Sequence, residues 1–207
     1  MIHAIPGRAI PRVLVVLGST RQGRICPKVA AWVVDIGRGI VDATFETVDL
    51  RDWRLPMDDE PGVPAAGAYL NAHTLAWSRK VSESDAVVLV TPQYNWGYPA
   101  PLKNALDHLY SEWRGMPAVI VTYGQRGGGK CAKQLRQVAD GLHMRTVGVM
   151  PALRLPRALI EANDGSVVPE QHFAGAAAQV RRAFGKLAGE LKGRSRSAGR
   201  TEGVAAG

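Results

Sequence analysis

Three short segments combine glycine, basic and aromatic residues in ways that ordinary loops do not: GSTRQGR at 18–24, TPQYNWGYP at 91–99 and YGQRGGGK at 123–130. The first follows an apolar run and precedes a helical pattern, so its backbone N–H groups and the helix dipole converge on a place where an anion is stabilised. Gly18 and Gly23 permit close backbone approach, and Ser19 and Thr20 offer hydroxyls. Arg21 and Arg24 carry guanidinium forks that match phosphate oxygens in pairs. Thr20 stands where the dinucleotide fingerprint GxGxxG needs glycine. Two arginines also suit a doubly charged phosphate monoester better than a pyrophosphate, so a mononucleotide such as FMN is the better-shaped ligand.

The second segment sets Tyr94, Trp96 and Tyr98 at alternate positions, with Gln93, Asn95 and Gly97 between them, on a loop stiffened by Pro92, Pro99 and Pro101. Aromatic side chains on a rigid loop are satisfied by stacking on a flat heteroaromatic ring whose polar edge meets backbone N–H groups and the Asn95 amide. In the third segment GQRGGGK matches a phosphate-binding P-loop up to Lys130, but Cys131 replaces the hydroxyl that the motif places on Mg²⁺. Nucleotide hydrolysis is therefore rejected. The loop is expected instead to meet the far side of the same planar ligand through its backbone, where glycines admit close approach. The five histidines are scattered without ligand spacing and imply no metal site. Asp107 and His108 fall off the apolar face of their helix, towards solvent or another subunit. No GxSxG elbow or other nucleophile constellation is present, so no catalytic side chain is assigned and a bound cofactor is expected to carry the chemistry.

The elements that must position these loops follow from hydrophobic period. Apolar, β-branched runs at 13–17, 86–90 and 118–123 predict strands buried on both faces, and 44–50 and 146–150 predict two more. Helical periods cover 25–39, 69–81, a stretch from Pro101 through Trp113, 130–143 and 173–191. Residues 51–67, rich in Pro, Gly and Asp, predict a long loop. Strands alternating with helices mean right-handed βαβ units, and hence an α/β three-layer sandwich with a five-stranded parallel sheet. For strand order 2-1-3-4-5 the switch point lies between the loops after the first and third strands, which are the two segments singled out above.

The 207 residues fit one domain, expected over 1–192, followed by a basic tail over 193–207 that is expected to be disordered. Hydrophobic residues at 46% and charged residues at 21% are the balance of a soluble globular protein. The net charge is +8, but residues 181–207 carry seven basic and two acidic side chains and supply +5 of it. That distribution predicts weak, salt-sensitive attraction to polyanions and no specific nucleic-acid partner. No apolar window is long enough to span a membrane, and the first twelve residues lack a secretory core, so a cytoplasmic protein is expected. Cys26 and Cys131 fit neither a disulfide scaffold nor a zinc site, and both are expected to be reduced.

At these same residues the chain resembles the flavodoxin-like NAD(P)H-dependent FMN reductases, which include chromate and quinone reductases. GSTRQGR resembles the family's phosphate loop, TPQYNWGYPAPLKNALDHLYSEW its flavin-ring loop and following helix, and YGQRGGGKCAKQLR its third loop. The likeness runs from Val13 to about Met150 and fades beyond Pro151. It implies that Ser19, Arg21 and Arg24 hold the FMN phosphate, that Pro92, Gln93, Tyr94, Asn95, Trp96 and Gly97 meet the ribityl chain and ring, and that Tyr123 and Gly124 approach the ring. It further implies a homodimer or homotetramer. The implied reaction is ping-pong, with hydride from NADPH or NADH passing to FMN and two electrons then passing to a quinone-like acceptor. A non-enzymatic electron carrier, or a redox-responsive binding protein of the same fold, is the alternative.

Overall fold

The structure, a computed structural model, describes residues 10–57, 59–162 and 164–202. Six parallel strands form one sheet: β1 (Arg12–Leu17), β2 (Thr44–Asp49), β3 (Ala86–Pro92), β4 (Pro117–Gly124), β5 (Arg145–Thr146) and β6 (Ala152–Arg154). The order is β2-β1-β3-β4-β5, as expected for a flavodoxin-like sheet, with β6 also paired to β4. Val13 to Leu17, Ala86 to Val90 and Ala118 to Val121 are almost inaccessible to solvent, which is why these runs carry no polar alternation.

The helices are α1 (Cys26–Arg38), α2 (Ala72–Ser82), α3 (Ala100–Asp107), α4 (Gly129–Gly141), α5 (Arg157–Ala162), α6 (Pro169–His172) and α7 (Ala177–Glu202). The sheet divides the interior into two cores. On one face α1 and α7 bury Val29, Trp32, Val33, Phe184 and Leu187 against the sheet. On the other, α2, α3 and α4 bury Trp77, Leu102, Leu106 and Leu135 around Trp113. The Trp77 indole donates to the Ala105 carbonyl at 2.7 Å and Trp113 to that of Leu106 at 3.0 Å, so both large rings are apolar fillers with satisfied N–H groups.

Several elements differ from the periodic pattern. The fifth strand, expected over 146–150, is split: β5 stops at Thr146 and β6 resumes at Ala152, with Gly148 and Pro151 interrupting the ladder beside β4. The helix expected through Trp113 ends at Asp107, and a 3₁₀ turn at Ser111–Trp113 carries the indole into the core. This ending corrects the placement of His108. It leaves the helix face, and its ring is 5% exposed rather than turned to solvent, whereas Asp107 stays outside and pairs with Lys103. A short helix, α5, lies where no element was expected. Helix α7 continues through the Gly193 boundary to Glu202; residues 203–207 of the expected tail and residues 1–9 lie outside the described residues. Among the described residues no helix is long and apolar enough to cross a membrane.

Candidate functional site

The carboxyl ends of β1, β3 and β4 open into a crevice of about 1070 Å³. Its first wall is the turn between β1 and α1. Gly18 N donates to Val90 O at 2.9 Å, and a Cβ at Gly18 would lie 2.9 Å from Leu102 and 3.1 Å from Thr91, so only glycine lets the chain leave the sheet here. Arg21, Gly23 and Arg24 line the crevice, and Gly23 takes a left-handed φ of 72°. Arg24 is the most informative of them. Its side chain is 8% exposed and pairs with Asp49, yet two guanidinium nitrogens, Nε and Nη1, are buried without a partner. Unpaired buried donors are costly, and a charged one costs more. The turn precedes a helix start and carries Arg21 and Arg24 about Gly23, a set of charged donors whose chemistry suits an anionic group such as a phosphate.

The second wall follows β3. Tyr94 and Gly97 close on each other through two backbone hydrogen bonds of 2.9 Å, with Asn95 at φ 45° and Trp96 at φ 74°. Positive φ at both central residues is the geometry of a type I′ turn, which favours Asn-Gly; here tryptophan stands in the glycine place. A bulky residue held there marks stored strain, and such strain gathers at functional sites. The turn presents Trp96 at its tip, 61% exposed, with Lys130 Nζ 2.9 Å above the ring. Arg21 lies 4.1 Å over the Tyr94 ring, and the Tyr94 hydroxyl is 2.9 Å from Ser19 Oγ.

The structure therefore separates the expected residues into those that face the crevice and those that support it. Arg21, Arg24, Pro92, Gln93, Tyr94, Asn95, Trp96, Tyr123 and Gly124 all line it. Ser19 does not: it is fully buried and its hydroxyl holds Tyr94. Gly97 does not line it either and instead completes the turn. Gln93 has a double role, because its Oε1 accepts from Cys131 N at 3.1 Å and ties β3 to the start of α4. Tyr98 is half-buried and packs on the core beneath α3.

The third wall is the turn after β4. Gly127 and Gly128 have φ of 79° and 83°, and a Cβ on either would collide with Ala152 at 3.0 Å or with Thr122 at 2.8 Å. These two glycines serve chain packing, while Gly124 and Gly129 face the crevice. Cys131 is wholly buried on the core side of α4, in accord with rejecting a P-loop. Burial pushes the Cys131 thiol up to about 12 and that of Cys26 up to about 11, so neither is a thiolate near neutral pH. Burial likewise holds the Tyr123 hydroxyl well above its ordinary value.

A fourth wall was invisible in the motifs. Leu155, Leu159, Ile160 and Gly165 close the crevice opposite the turn at 94–97, and the Lys28 ammonium donates to the Gly165 carbonyl. The sequence signal was one apolar triplet, Leu159–Ile160 after Leu155, in a region without strong period. Lys130 and Lys133 also line the crevice.

Scattered histidines do meet elsewhere. Asp59, His73 and His108 place ligand-type atoms within 4.8 Å of one another, with Asp59 Oδ1 2.9 Å from His73 Nε2. His108 Nε2 is 2.8 Å from Pro56 O and its Nδ1 is 3.1 Å from Thr74 Oγ1. A carbonyl only accepts, so Nε2 carries a proton, and the ring ties the 51–71 loop at Pro56 to Thr74 on α2.

Residues 11–153 match the family model described as NADPH-dependent FMN reductase. The chain is 50% identical over 179 residues to an NAD(P)H-dependent FMN reductase of Schizosaccharomyces pombe, covering 86% of this chain and 88% of that one. It is 31% identical over 140 residues to a quinone reductase of Escherichia coli, covering 61% and 68% of the two chains. Among solved structures, the flavoenzyme NAD(P)H:(acceptor) oxidoreductase FerB of Paracoccus denitrificans superposes with a TM-score of 0.64 at 23% identity, over 84% of this chain and 96% of that one. The matched span begins just before β1 and ends within β6, enclosing the first three walls of the crevice, and the chain belongs to the NADPH-dependent FMN reductase family of oxidoreductases.

Proposed function

We propose that this chain oxidises NADPH or NADH through a bound FMN and passes two electrons to a quinone-like acceptor in a ping-pong cycle. The observation that carries this reading is the buried, half-partnered guanidinium of Arg24 in a crevice bounded by the Tyr94–Gly97 turn. When bound, FMN supplies the hydride acceptance and the two-electron transfer; the protein supplies position and environment.

Arg21 and Arg24, with the N–H groups at the start of α1, would hold the phosphate. Tyr94, fixed by Ser19, and the neighbouring Asn95 would meet the ribityl chain and ring edge, and Tyr123 with Gly124 would form the floor. Leu155, Leu159 and Ile160 give the mouth an apolar side that excludes water from the reacting faces. The crevice, at about 1070 Å³, is at or above the range of roughly 300–1,000 Å³ usual for a single drug-sized ligand. That size leaves room for a nicotinamide or a quinone beside the cofactor, each in turn. Subunit contact would use the 51–71 face, where Met57, Val63 and Leu70 are 71–72% exposed, and a homodimer in the cytoplasm is the form we assign.

The test is the visible spectrum of the purified protein before and after loading with FMN and desalting. Flavin bands that bleach with NADPH or NADH and return on adding a benzoquinone are expected. Bands that neither nicotinamide bleaches would replace the enzyme with an electron carrier, and failure to retain any flavin would refute the assignment of the crevice.

A further inference from the structure

The motif that supplies Arg24 does not supply what holds it. Arg24 sits in the β1–α1 turn, but its counter-ion comes from the end of β2. In the parallel register Leu17 lies opposite Asp49, so β2 delivers Asp49 level with the last residue of β1, beside the start of the phosphate-loop segment. Both carboxylate oxygens are committed: Oδ2 accepts from Arg24 Nη2, and Oδ1 accepts from Arg51 N at 3.0 Å. The Asp49 carbonyl also accepts from Asp52 N at 3.0 Å and from Trp53 N at 2.9 Å. The carboxylate is thus fixed by the turn that follows it, and it is 19% exposed against 8% for the Arg24 side chain.

A guanidinium that deeply buried needs a counter-ion, and a long side chain with no fixed partner would leave for water. Asp49 takes one nitrogen, while Nε and Nη1 stay buried and without a partner in a residue that lines the crevice. We propose that Asp49 is a positioning residue. It holds Arg24 in the flavin-free protein so that two N–H donors stand ready for the ligand's phosphate, and it thereby sets the preference of the site for phosphorylated FMN over riboflavin. This inference rests on the reading that the crevice takes the FMN phosphate beside Gly18–Arg24. Two effects of opposite sign meet in Asp49: its negative charge repels a phosphate, while its hold on Arg24 spares the ordering of a flexible side chain on binding. Because the Asp49 charge is already matched by Arg24 and the Arg51 N–H, ordering is the larger effect.

The experiment is a pair of flavin-fluorescence titrations, with FMN and with riboflavin, on flavin-free wild type, Asp49→Asn, Arg24→Ala and the double variant. Asp49→Asn keeps the acceptor for Arg51 N–H. Its ratio of FMN to riboflavin affinity is expected to fall about tenfold, equivalent to about 1.4 kcal/mol, with riboflavin affinity unchanged. In the Arg24→Ala background the same change is expected to leave the ratio where it is, since a residue acting through Arg24 has nothing left to act on. Asp49→Ser, which keeps a short acceptor for the turn, reads the same ratio if Asp49→Asn does not fold. An unchanged or raised ratio in a wild type that prefers FMN overturns the role of Asp49 alone. A wild type that binds FMN and riboflavin equally overturns the phosphate site itself, and the role of Asp49 with it.

Discussion

Adding one methyl group at Gly128 is a severe test of how the third wall is built. The new Cβ would lie 2.8 Å from Thr122 Cβ and 2.9 Å from its Oγ1, well inside the roughly 3.5–4.0 Å of ordinary carbon contact. Thr122 is wholly buried and its hydroxyl donates to the Gly127 carbonyl at 2.9 Å, so it has no free rotamer to retreat into. Overpacking of this kind costs about 1–3 kcal/mol. The φ of 83° adds about 1–2 kcal/mol for a residue that carries a Cβ. Reduced freedom of the unfolded chain returns about 0.5–1 kcal/mol. Gly128→Ala should therefore lose about 1–4.5 kcal/mol, a fall in Tm of roughly 2–18 °C for a chain of this size. Gly129 is the control. It is the next residue, begins α4, and a Cβ there meets nothing within 4 Å, so Gly129→Ala should be neutral or stabilising by up to about 1 kcal/mol through helix propensity. Both are read by thermal and urea denaturation of the flavin-free protein. Equal stability of the two variants would refute the packing argument.

Arg21→Ala should weaken FMN binding by about 1.5–3 kcal/mol, the scale of one charge-assisted hydrogen bond, as measured by fluorescence titration; unchanged affinity removes Arg21 from the phosphate site. Cys131, whose folded value is raised from 9.0 to about 12 by burial, gives stability that is complete below pH 9 and is lost as pH rises towards 12. Cys131→Ala should flatten the alkaline fall in Tm over that window, and an unaltered profile would show that another group governs it. His108→Phe removes one of the two donors to Pro56 O, which keeps Asn104 Nδ2 at 3.1 Å, and the ring contact of Thr74 Oγ1; it should cost about 0.5–1.5 kcal/mol and expose the 51–71 loop to limited proteolysis. Retained protease resistance would show that the loop is held by other contacts.

The readable parts of this molecule were those in which one short-range rule acts alone. Val13–Leu17, Ala86–Val90 and Ala118–Val121 could only be central strands, because no solvated face is left for polar residues; the strand order was that of the flavodoxin-like fold the chain resembles, since right-handed crossovers alone allow more than one order. Arg24 was expected from the loop motif to hold a phosphate, but its partner Asp49 belongs to a strand whose end is brought alongside by parallel register, which no local pattern carries. His108 was misplaced because helical phase was extended past Asp107, where the helix stops. Strand β6 and the Leu155–Ile160 wall escaped because Gly148 and Pro151 interrupt the strand, and α5 buries none of its residues, so the period that marks an amphipathic helix is missing. Ser19 and Gly97 were expected to meet the ligand, but Ser19 is buried behind Tyr94 and Gly97 closes the turn, so both brace the wall from behind, a direction that residue type alone does not carry.

The sheet leaves two interiors that share strands but no helices, one under α1 and α7 and the other under α2, α3 and α4. Substitutions on helices of opposite interiors are separated by the sheet, so their free energies should add, and the helices of either layer can be redesigned while those of the other are left untouched. The crevice is the exception, because Ile25, Tyr123 and Leu155 belong to the first interior while Lys130 and Lys133 ride on a helix of the second. Ligand affinity is then the observable in which otherwise independent changes in the two halves become coupled, and a departure from additivity there measures how far the two halves must agree in position.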